Sequence, residues 1–287
     1  MKVASRRRVN SSEAQLTVFF YGEAFHLDED SRRVDGIGGV VWEGALLTTH
    51  TLLRVLRGAS NPASLHVLEL GCGTGICGIV LASRVAAVTL TDQSVDLALA
   101  NAKRIIQSRG TVNIAALPLP WGAGLEAELL ADRVGPPHLI VGCEVACLRS
   151  QQTKLLETIK GLVFERSVVL MSFDELPPPN GCTAEREFDA RMSLAGFRKE
   201  NVAVARVSWS TAQGGVSDAV LEELPHPSGV CLGQGDGSCS PQELCEIVPV
   251  TPREERVEGA HHVVAYFKGS ATVTCEFCGK PRFLFEE

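Results

Sequence analysis

Long apolar runs are the first thing this sequence lacks. No uninterrupted apolar stretch approaches the roughly 20 residues that a membrane-spanning helix needs, so no membrane partner is expected. A basic excess is missing as well: 27 Lys and Arg stand against 34 Asp and Glu, a net charge of -7. That argues against broad nucleic-acid binding through a positive face. An acidic chain suits a basic partner, such as a lysine-bearing surface, better. The first dozen residues hold Arg6-Arg7-Arg8 and serines but no acid, and no apolar segment follows them directly. A secretory leader is therefore not read there, and the amphipathic pattern is short for a mitochondrial presequence, so residues 1–12 are expected to be a solvated tail.

Cysteine is not scarce, with ten in the chain, but a disulfide framework is not what their positions suggest. Cys72, Cys77 and Cys143 fall inside predicted core segments and read as small hydrophobes in a reducing compartment. The cytoplasm is the expected location, with nucleus and mitochondrion as alternatives. A second Cys-x-x-Cys is also lacking. Cys275-Glu276-Phe277-Cys278 offers two ligands where a structural zinc site needs four, and Cys231, Cys239 and Cys245 do not form another knuckle. His261 and His262 point oppositely if they lie in a strand, so at most one could help. A zinc site completed in space, a redox pair and two free thiols all stay open, and no metal ligand is assigned.

What is present centres on Val67-Leu68-Glu69-Leu70-Gly71-Cys72-Gly73-Thr74-Gly75, followed by Val88-Thr89-Leu90-Thr91-Asp92. An apolar run ends in an acid and a glycine-rich turn; a small-residue helix and a second apolar run come next. Strand, loop, helix and strand place glycines where a ligand needs close backbone approach. The distance from Gly73 to Asp92 suits a carboxylate accepting hydrogen bonds from a ribose. A dinucleotide is the first candidate, but Glu69, expected to face the mouth of the site, would repel a pyrophosphate. It would attract the ammonium of a cationic, phosphate-free nucleoside, and S-adenosylmethionine is one.

At 287 residues with 45% apolar content, the chain can hold one large domain or two small ones around a sizeable core. A strand over 16–21 begins an N-terminal hairpin, and 28–35 reads as a charged connector. Gly38-Gly39-Val40-Val41-Trp42-Glu43 leads into an amphipathic helix through Leu46, Leu47, His50, Leu53 and Leu56. Strands are expected at 65–70, 87–92, 112–117, 138–143 and 167–172, and helices at 75–83, 94–107, 151–163 and 183–195. This alternation makes a parallel sheet with helices on both faces, its ligand at the carboxyl ends of the strands. Glu69, Asp92, Trp121 and Glu144 all fall on that rim, and Phe173-Asp174-Glu175 reads as rim or as solvated loop. Strands over 198–209 and 261–268 are expected to pair antiparallel, with 212–260 between them as a functional or disordered insertion whose 233–240 portion is mobile.

These residues resemble the seven-strand S-adenosylmethionine-dependent methyltransferases, and within them the family 16 protein-lysine methyltransferases. The glycine motif is similar to that of many methyltransferases. Gly39-Val40-Val41-Trp42 and Leu119-Pro120-Trp121-Gly122 resemble motifs of the narrower family, over Gly38 to about Lys268. The resemblance implies a three-layer Rossmann-like α/β fold with the last strand antiparallel, an N-terminal extension and a long insertion before the last strand. The expected division is 1–37 as tail and hairpin, 38–268 as methyltransferase domain, and 269–287 as a cysteine-containing tail. It also implies roles: Gly71, Cys72 and Gly73 contact the methionine part with Glu69 beside them, Asp92 holds the ribose hydroxyls, Trp121 packs near the adenine, Cys143 gives backbone contact and Trp42 closes over the cofactor. By residue type alone, Trp42 could equally be a core plug and Trp121 a turn anchor. Where the family carries Asp-x-x-Tyr this chain has Glu144-Val145-Ala146-Cys147, with Glu144 as the catalytic candidate. The implied activity is methylation of a lysine on a protein substrate. Arginine or histidine methylation, or a non-catalytic binding module, are the alternatives.

Overall fold

The computed structural model describes residues 1–10, 12–32, 37–59, 61–110, 113–122, 130, 134–164, 167–174, 184–210, 216–223 and 260–268. The Cys275 and Cys278 pair, Cys231, Cys239, Cys245 and the 233–240 stretch lie outside the described residues. So do Glu175 and the end of the Phe173 rim segment.

In chain order the elements are β1 (Lys2–Arg8), β2 (Glu13–Phe20), β3 (Glu23–Asp30), α1 (Glu43–Gly58), β4 (His66–Leu70), α2 (Ile76–Leu81), β5 (Ala87–Asp92) and α3 (Asp96–Arg109). They continue with β6 (Ile114–Pro118), β7 (Leu139–Cys143), α4 (Arg149–Leu162), β8 (Val168–Asp174), α5 (Ala184–Leu194), β9 (Phe197–Trp209), β10 (Val216–Glu223) and β11 (Ala260–Lys268). One sheet joins all eleven strands in the order β3-β2-β1-β10-β9-β11-β8-β7-β4-β5-β6. From β9 to β6 this is the seven-strand Rossmann-like arrangement. β8, β7, β4, β5 and β6 run parallel, and β11 enters antiparallel between β8 and β9.

Parallel strands covered on both faces are apolar throughout rather than alternating, and β4 is buried at every position. On one face α1, α2 and α3 pack through Leu46, Leu53, Ile79, Ala98 and Ile105. On the other, Leu155, Ile159 and Leu162 of α4 join Phe188 and Met192 of α5. Three layers result, as expected.

The N-terminal part departs from expectation. The supposed tail contains β1, inserted between β2 and β10. Its Val3 and Ala4 are fully buried, so the apolar residues ahead of the arginines outweigh the charge that suggested a tail. Arg6 itself is a structural cation: Nε donates to Glu29 Oε2 at 2.6 Å, and Nη2 to Glu29 Oε1 at 2.9 Å and to the Val41 carbonyl at 2.8 Å. Of the connector expected over 28–35, Asp28–Asp30 are the end of β3, where buried Phe25, Leu27 and Glu29 alternate with outward His26, Asp28 and Asp30, and 33–35 lie outside the described residues. Within the expected insertion, 216–223 form a strand, β10, paired to β1 and β9.

This antiparallel wing curls back over the helices. The Asp28 amide donates to Asn101 Oδ1 on α3 at 2.8 Å, and Asn101 Nδ2 donates to the Thr74 carbonyl of the glycine loop at 3.0 Å. α1 is consequently not amphipathic in its setting. Every residue from Gly44 to Leu56 except Arg54 is buried, including Thr48, Thr49, His50 and Thr51, because α1 packs on β8, β9, β11 and α2 while Tyr21 and Glu223 of the wing meet its His50.

Candidate functional site

Strand order reverses between β4 and β7, and in an open α/β sheet the crevice beyond that point takes the ligand. Leu70 pairs with Gly142 there, so the loops after β4 and β7 leave the sheet side by side. Gly71 and Gly73 have φ of 62° and 51°, the left-handed region that side chains disfavour. Close approach gives a second reason for glycine. A Cβ on Gly71 would lie 2.7 Å from Val145 Cγ1 and 3.0 Å from Trp121 Cζ2, and one on Gly73 would lie 2.5 Å from the Gly38 carbonyl oxygen. The loop therefore touches the Trp121 indole on one side and the Gly38 strap on the other.

Asp92 ends β5 with its carboxylate turned under the loop. Oδ2 accepts from Gly73 N at 2.9 Å and Oδ1 from Gln93 N at 2.7 Å. Burial raises its pKa above the usual carboxylate value, against the pull of the backbone amides. The Ser94 amide adds a third backbone donor to the carboxylate, which retains acceptor capacity for a ribose hydroxyl.

Glu69 differs from the expectation that it faces the mouth. It is 2% exposed and lies beneath the loop, where Oε2 accepts from Gly78 N of α2 at 2.8 Å. Burial, opposed by that amide and reinforced by Asp92, pushes its carboxyl up to about 8. Glu69, Cys77 and Cys143 converge, with their ligand-capable atoms within 4.8 Å of one another. Cys72 is buried, and its amide donates to the Thr91 carbonyl at 2.9 Å.

Trp42 caps the start of α1 from outside. It is 43% exposed, and its indole N–H donates to the Ile37 carbonyl at 2.9 Å. It is not a core plug. Between it and the crevice the strap is fixed: the Asp30 amide donates to Gly39 O at 2.8 Å, and Val41 N donates to Glu29 Oε1 at 2.8 Å. The N-terminal wing thus holds the strap against Gly73. Trp121 is half-buried and is steadied by Gly122 N donating to Thr158 Oγ1 of α4 at 3.0 Å.

Glu144 follows β7 with φ of 56°, a left-handed conformation costing a non-glycine residue about 1–2 kcal/mol. Its amide donates to the Ser172 carbonyl and hydroxyl of β8, at 3.2 and 3.1 Å. Its Oε1 accepts from Gly44 N at 3.1 Å, and His261 Nδ1 lies 3.0 Å from the same oxygen. A Cβ on Gly44 would fall 2.6 Å from Glu144 Cγ, so only glycine lets α1 come this near. Cys147 and Leu148, three and four residues on, are exposed.

His261 and Gly44 were not singled out as site residues from the sequence. The strand that His261 opens was expected to pair with 198–209; its second pairing, with β8, sets His261 opposite Asp174 at the carboxyl rim. Nothing local marked Gly44.

Comparison with known proteins points the same way as this geometry. A family model described as lysine methyltransferase matches residues 22–190. Protein N-lysine methyltransferase METTL21A of Mus musculus is 32% identical over 162 residues, 54% of this chain and 69% of that protein. The Xenopus tropicalis protein of the same name is 30% identical over 174 residues, 59% of this chain and 74% of that one. Its Danio rerio counterpart is 29% identical over 167 residues, covering 58% and 72%.

Proposed function

Because the chain belongs to the lysine methyltransferase family matched over residues 22–190, we propose that the crevice at the β4–β7 switch holds S-adenosylmethionine and presents it to a lysine of a protein substrate. The observation that carries this is convergence on one glycine loop: Gly73 N donates to the buried Asp92 carboxylate at 2.9 Å, and a Cβ on Gly71 would lie 3.0 Å from Trp121 and 2.7 Å from Val145, the residue after Glu144. Asp92 accepts from the ribose hydroxyls and Trp121 lines an apolar slot for the adenine. Gly71, Cys72 and Gly73 receive the methionine part, Cys143 offers backbone beside it, and Trp42 on its fixed strap covers the bound molecule. Glu69, lying under the loop, pairs with the amino-acid ammonium once it gives up its own proton.

The sulfonium supplies an electrophilic methyl group. The protein's own task is to deliver a neutral amine, since a free lysine with a pKa of about 10.4 arrives as ammonium. Desolvation at the rim lowers that value, while carboxylates raise it. Both hydrogen bonds to the Glu144 carboxylate among the described residues fall on Oε1, leaving Oε2 to orient the incoming nitrogen.

Calorimetric titration with S-adenosylmethionine tests the binding half. Saturable binding is expected, weakened about tenfold or more by Asp92→Asn, the loss of a charge-assisted acceptor worth about 1.5–3 kcal/mol. Incubating the protein with methyl-labelled S-adenosylmethionine and cell lysate tests the transfer half and is expected to label a protein band at lysine. Binding unaffected by Asp92→Asn, or label appearing only in small molecules, contradicts the reading.

A further inference from the structure

We propose that His261 is a positioning residue of the acceptor site: it holds Glu144 by Oε1 and offsets its charge, so that the carboxylate orients lysine as free amine instead of storing it as ammonium. This rests on the lysine-methylation reading above and adds a residue to it.

Three other parts of the chain fix Glu144, one by its amide and two by its carboxylate. Glu144 stands in a disfavoured backbone conformation after β7, its amide is fixed by Ser172 of β8, and its Oε1 meets both the Gly44 amide of α1 and His261 Nδ1 of β11. His261 is 5% exposed, and 117 residues of sequence separate it from Glu144. A glutamate in a disfavoured backbone conformation, its amide fixed by Ser172 and its Oε1 by Gly44 and His261, carries a second oxygen that meets no hydrogen-bond partner among the described residues and is held in a set direction.

The groups facing His261 are acidic. Glu144 approaches from the β7 loop, Asp174 Oδ1 lies 3.9 Å away at the end of β8, and Glu43 lies in the first turn of α1. From β9 the paired neighbour is Ala205, followed by Arg206, whose guanidinium lies 3.4 Å from Glu222 of β10. Burial draws the imidazole down, but the hydrogen bond and charge of Glu144, with Asp174 and Glu43, outweigh it and leave its pKa above the ordinary 6.5. Facing a carboxylate oxygen, Nδ1 is the donor to Oε1, and the positive charge that these acids favour on the ring opposes the negative charge of the carboxylate.

That opposition of charge matters for the proton balance. Before the lysine nitrogen can use its lone pair, one N–H bond of the ammonium must break and the proton pass to water. An uncompensated carboxylate against the ammonium opposes this. A carboxylate already paired through its other oxygen still accepts a hydrogen bond from the amine but opposes deprotonation less.

Two substitutions separate position from charge. His261→Asn keeps an amide donor near the Nδ1 position but cannot be charged, whereas His261→Phe removes both. With the labelled lysate protein as substrate, His261→Asn is expected to lower kcat about tenfold at pH 7, the free-amine fraction lost per pH unit of raised lysine pKa. The deficit should close as pH rises toward 9, with KM unchanged or lower and S-adenosylmethionine affinity unaltered. His261→Phe is expected to remain slow at every pH. An equal loss at all pH values in both variants marks a merely structural residue and overturns the proposal. Separately from any turnover, NMR titration of the wild-type imidazole should place its midpoint above 6.5, and Glu144→Gln should lower it. A midpoint at or below 6.5 overturns the proposal even if methyl transfer is intact. Absent cofactor binding with a raised midpoint instead refutes the methylation reading and leaves the ion pair standing.

Discussion

Replacing Glu69 with glutamine should destabilise the protein in mild acid and stabilise it in mild alkali. Glu69 is 2% exposed, and burial holds its carboxyl protonated up to about 8 against an ordinary 4.5. Below 4.5 the folded and unfolded chains both carry the proton, and nothing is lost. Between 4.5 and 8 the unfolded chain releases it while the folded one keeps it, so stability falls; above 8 the loss is complete. At about 1.4 kcal/mol per pH unit the loss is about 3.5 kcal/mol at pH 7 and about 5 kcal/mol beyond pH 8. Glutamine escapes this and can still accept from Gly78 N, whose bond to Glu69 is 2.8 Å. It adds a buried N–H that finds no partner ready, a cost of about 1–3 kcal/mol. The two contributions cross near pH 6. Glu69→Gln should therefore lose about 1 kcal/mol at pH 5 and gain about 2 kcal/mol at pH 8, by the same arithmetic. Asp92 and His261 also have raised pKa values and lose stability in the same direction, but they are common to both proteins. Urea unfolding at pH 5, 7 and 8.5 without ligand reads the difference. A wild-type stability flat from pH 5 to 8, or a variant weaker at every pH, refutes the argument. The same group should signal ligand binding: if an ammonium settles beside Glu69, close to one proton leaves at pH 7. Calorimetry in buffers of differing ionisation enthalpy would count it, and Glu69→Gln should abolish it.

Arg6→Ala leaves Glu29, 2% exposed, without its bidentate partner, and should cost about 3 kcal/mol, lowering Tm by about 8 °C in a thermal scan. Arg6→Lys should recover less than half of that, because a point charge cannot serve both carboxylate oxygens and the Val41 carbonyl. Gly44→Ala gains about 1 kcal/mol of helix propensity but drives a Cβ to 2.6 Å from the Glu144 side chain. Forfeiting the hydrogen bond there costs about 1.5–3 kcal/mol. Denaturant midpoints should therefore shift little while label transfer collapses, and retained transfer would show that Glu144 does not need its anchor. Cys147→Tyr restores an aromatic wall at an exposed position beside Glu144. It should raise methyl incorporation about two- to tenfold, the worth of one aromatic contact, without changing cofactor affinity. Unchanged incorporation would remove Cys147 from the acceptor site.

The seven-strand layering was legible because each parallel strand is a short apolar run bounded by turn residues. Ala87–Asp92 was placed to the residue and the rest to within two or three. The rim was legible for the same reason: Asp92, Trp121 and Glu144 follow strand ends, and a parallel sheet points all those ends one way. Strand β1 was not, since Arg6-Arg7-Arg8 reads as solvent-seeking and its buried partner Glu29 lies in another strand. The exposure of Glu69 was misjudged because a carboxylate at a strand's end normally signals water. Here Gly78, at which a Cβ would come within 2.4 Å of Leu90, lets α2 close over it. The Glu144–His261 pair needed the register of β11 against β8, which follows only when strand order is known.

Lys2 and Asp218 form an ion pair at 2.9 Å across 216 residues of chain. A ribosome adding about 5–20 residues per second makes β2 within a few seconds of β1, but makes β10 only after about 10–45 s. Throughout that interval the free flank of β1 is an unpaired strand edge, open to any other extended peptide nearby. Production of this protein in a cell should therefore depend on holdase chaperones and on slow synthesis at low temperature more than its finished stability implies. The vulnerability ends when Val216–Val220 of β10 have paired along it.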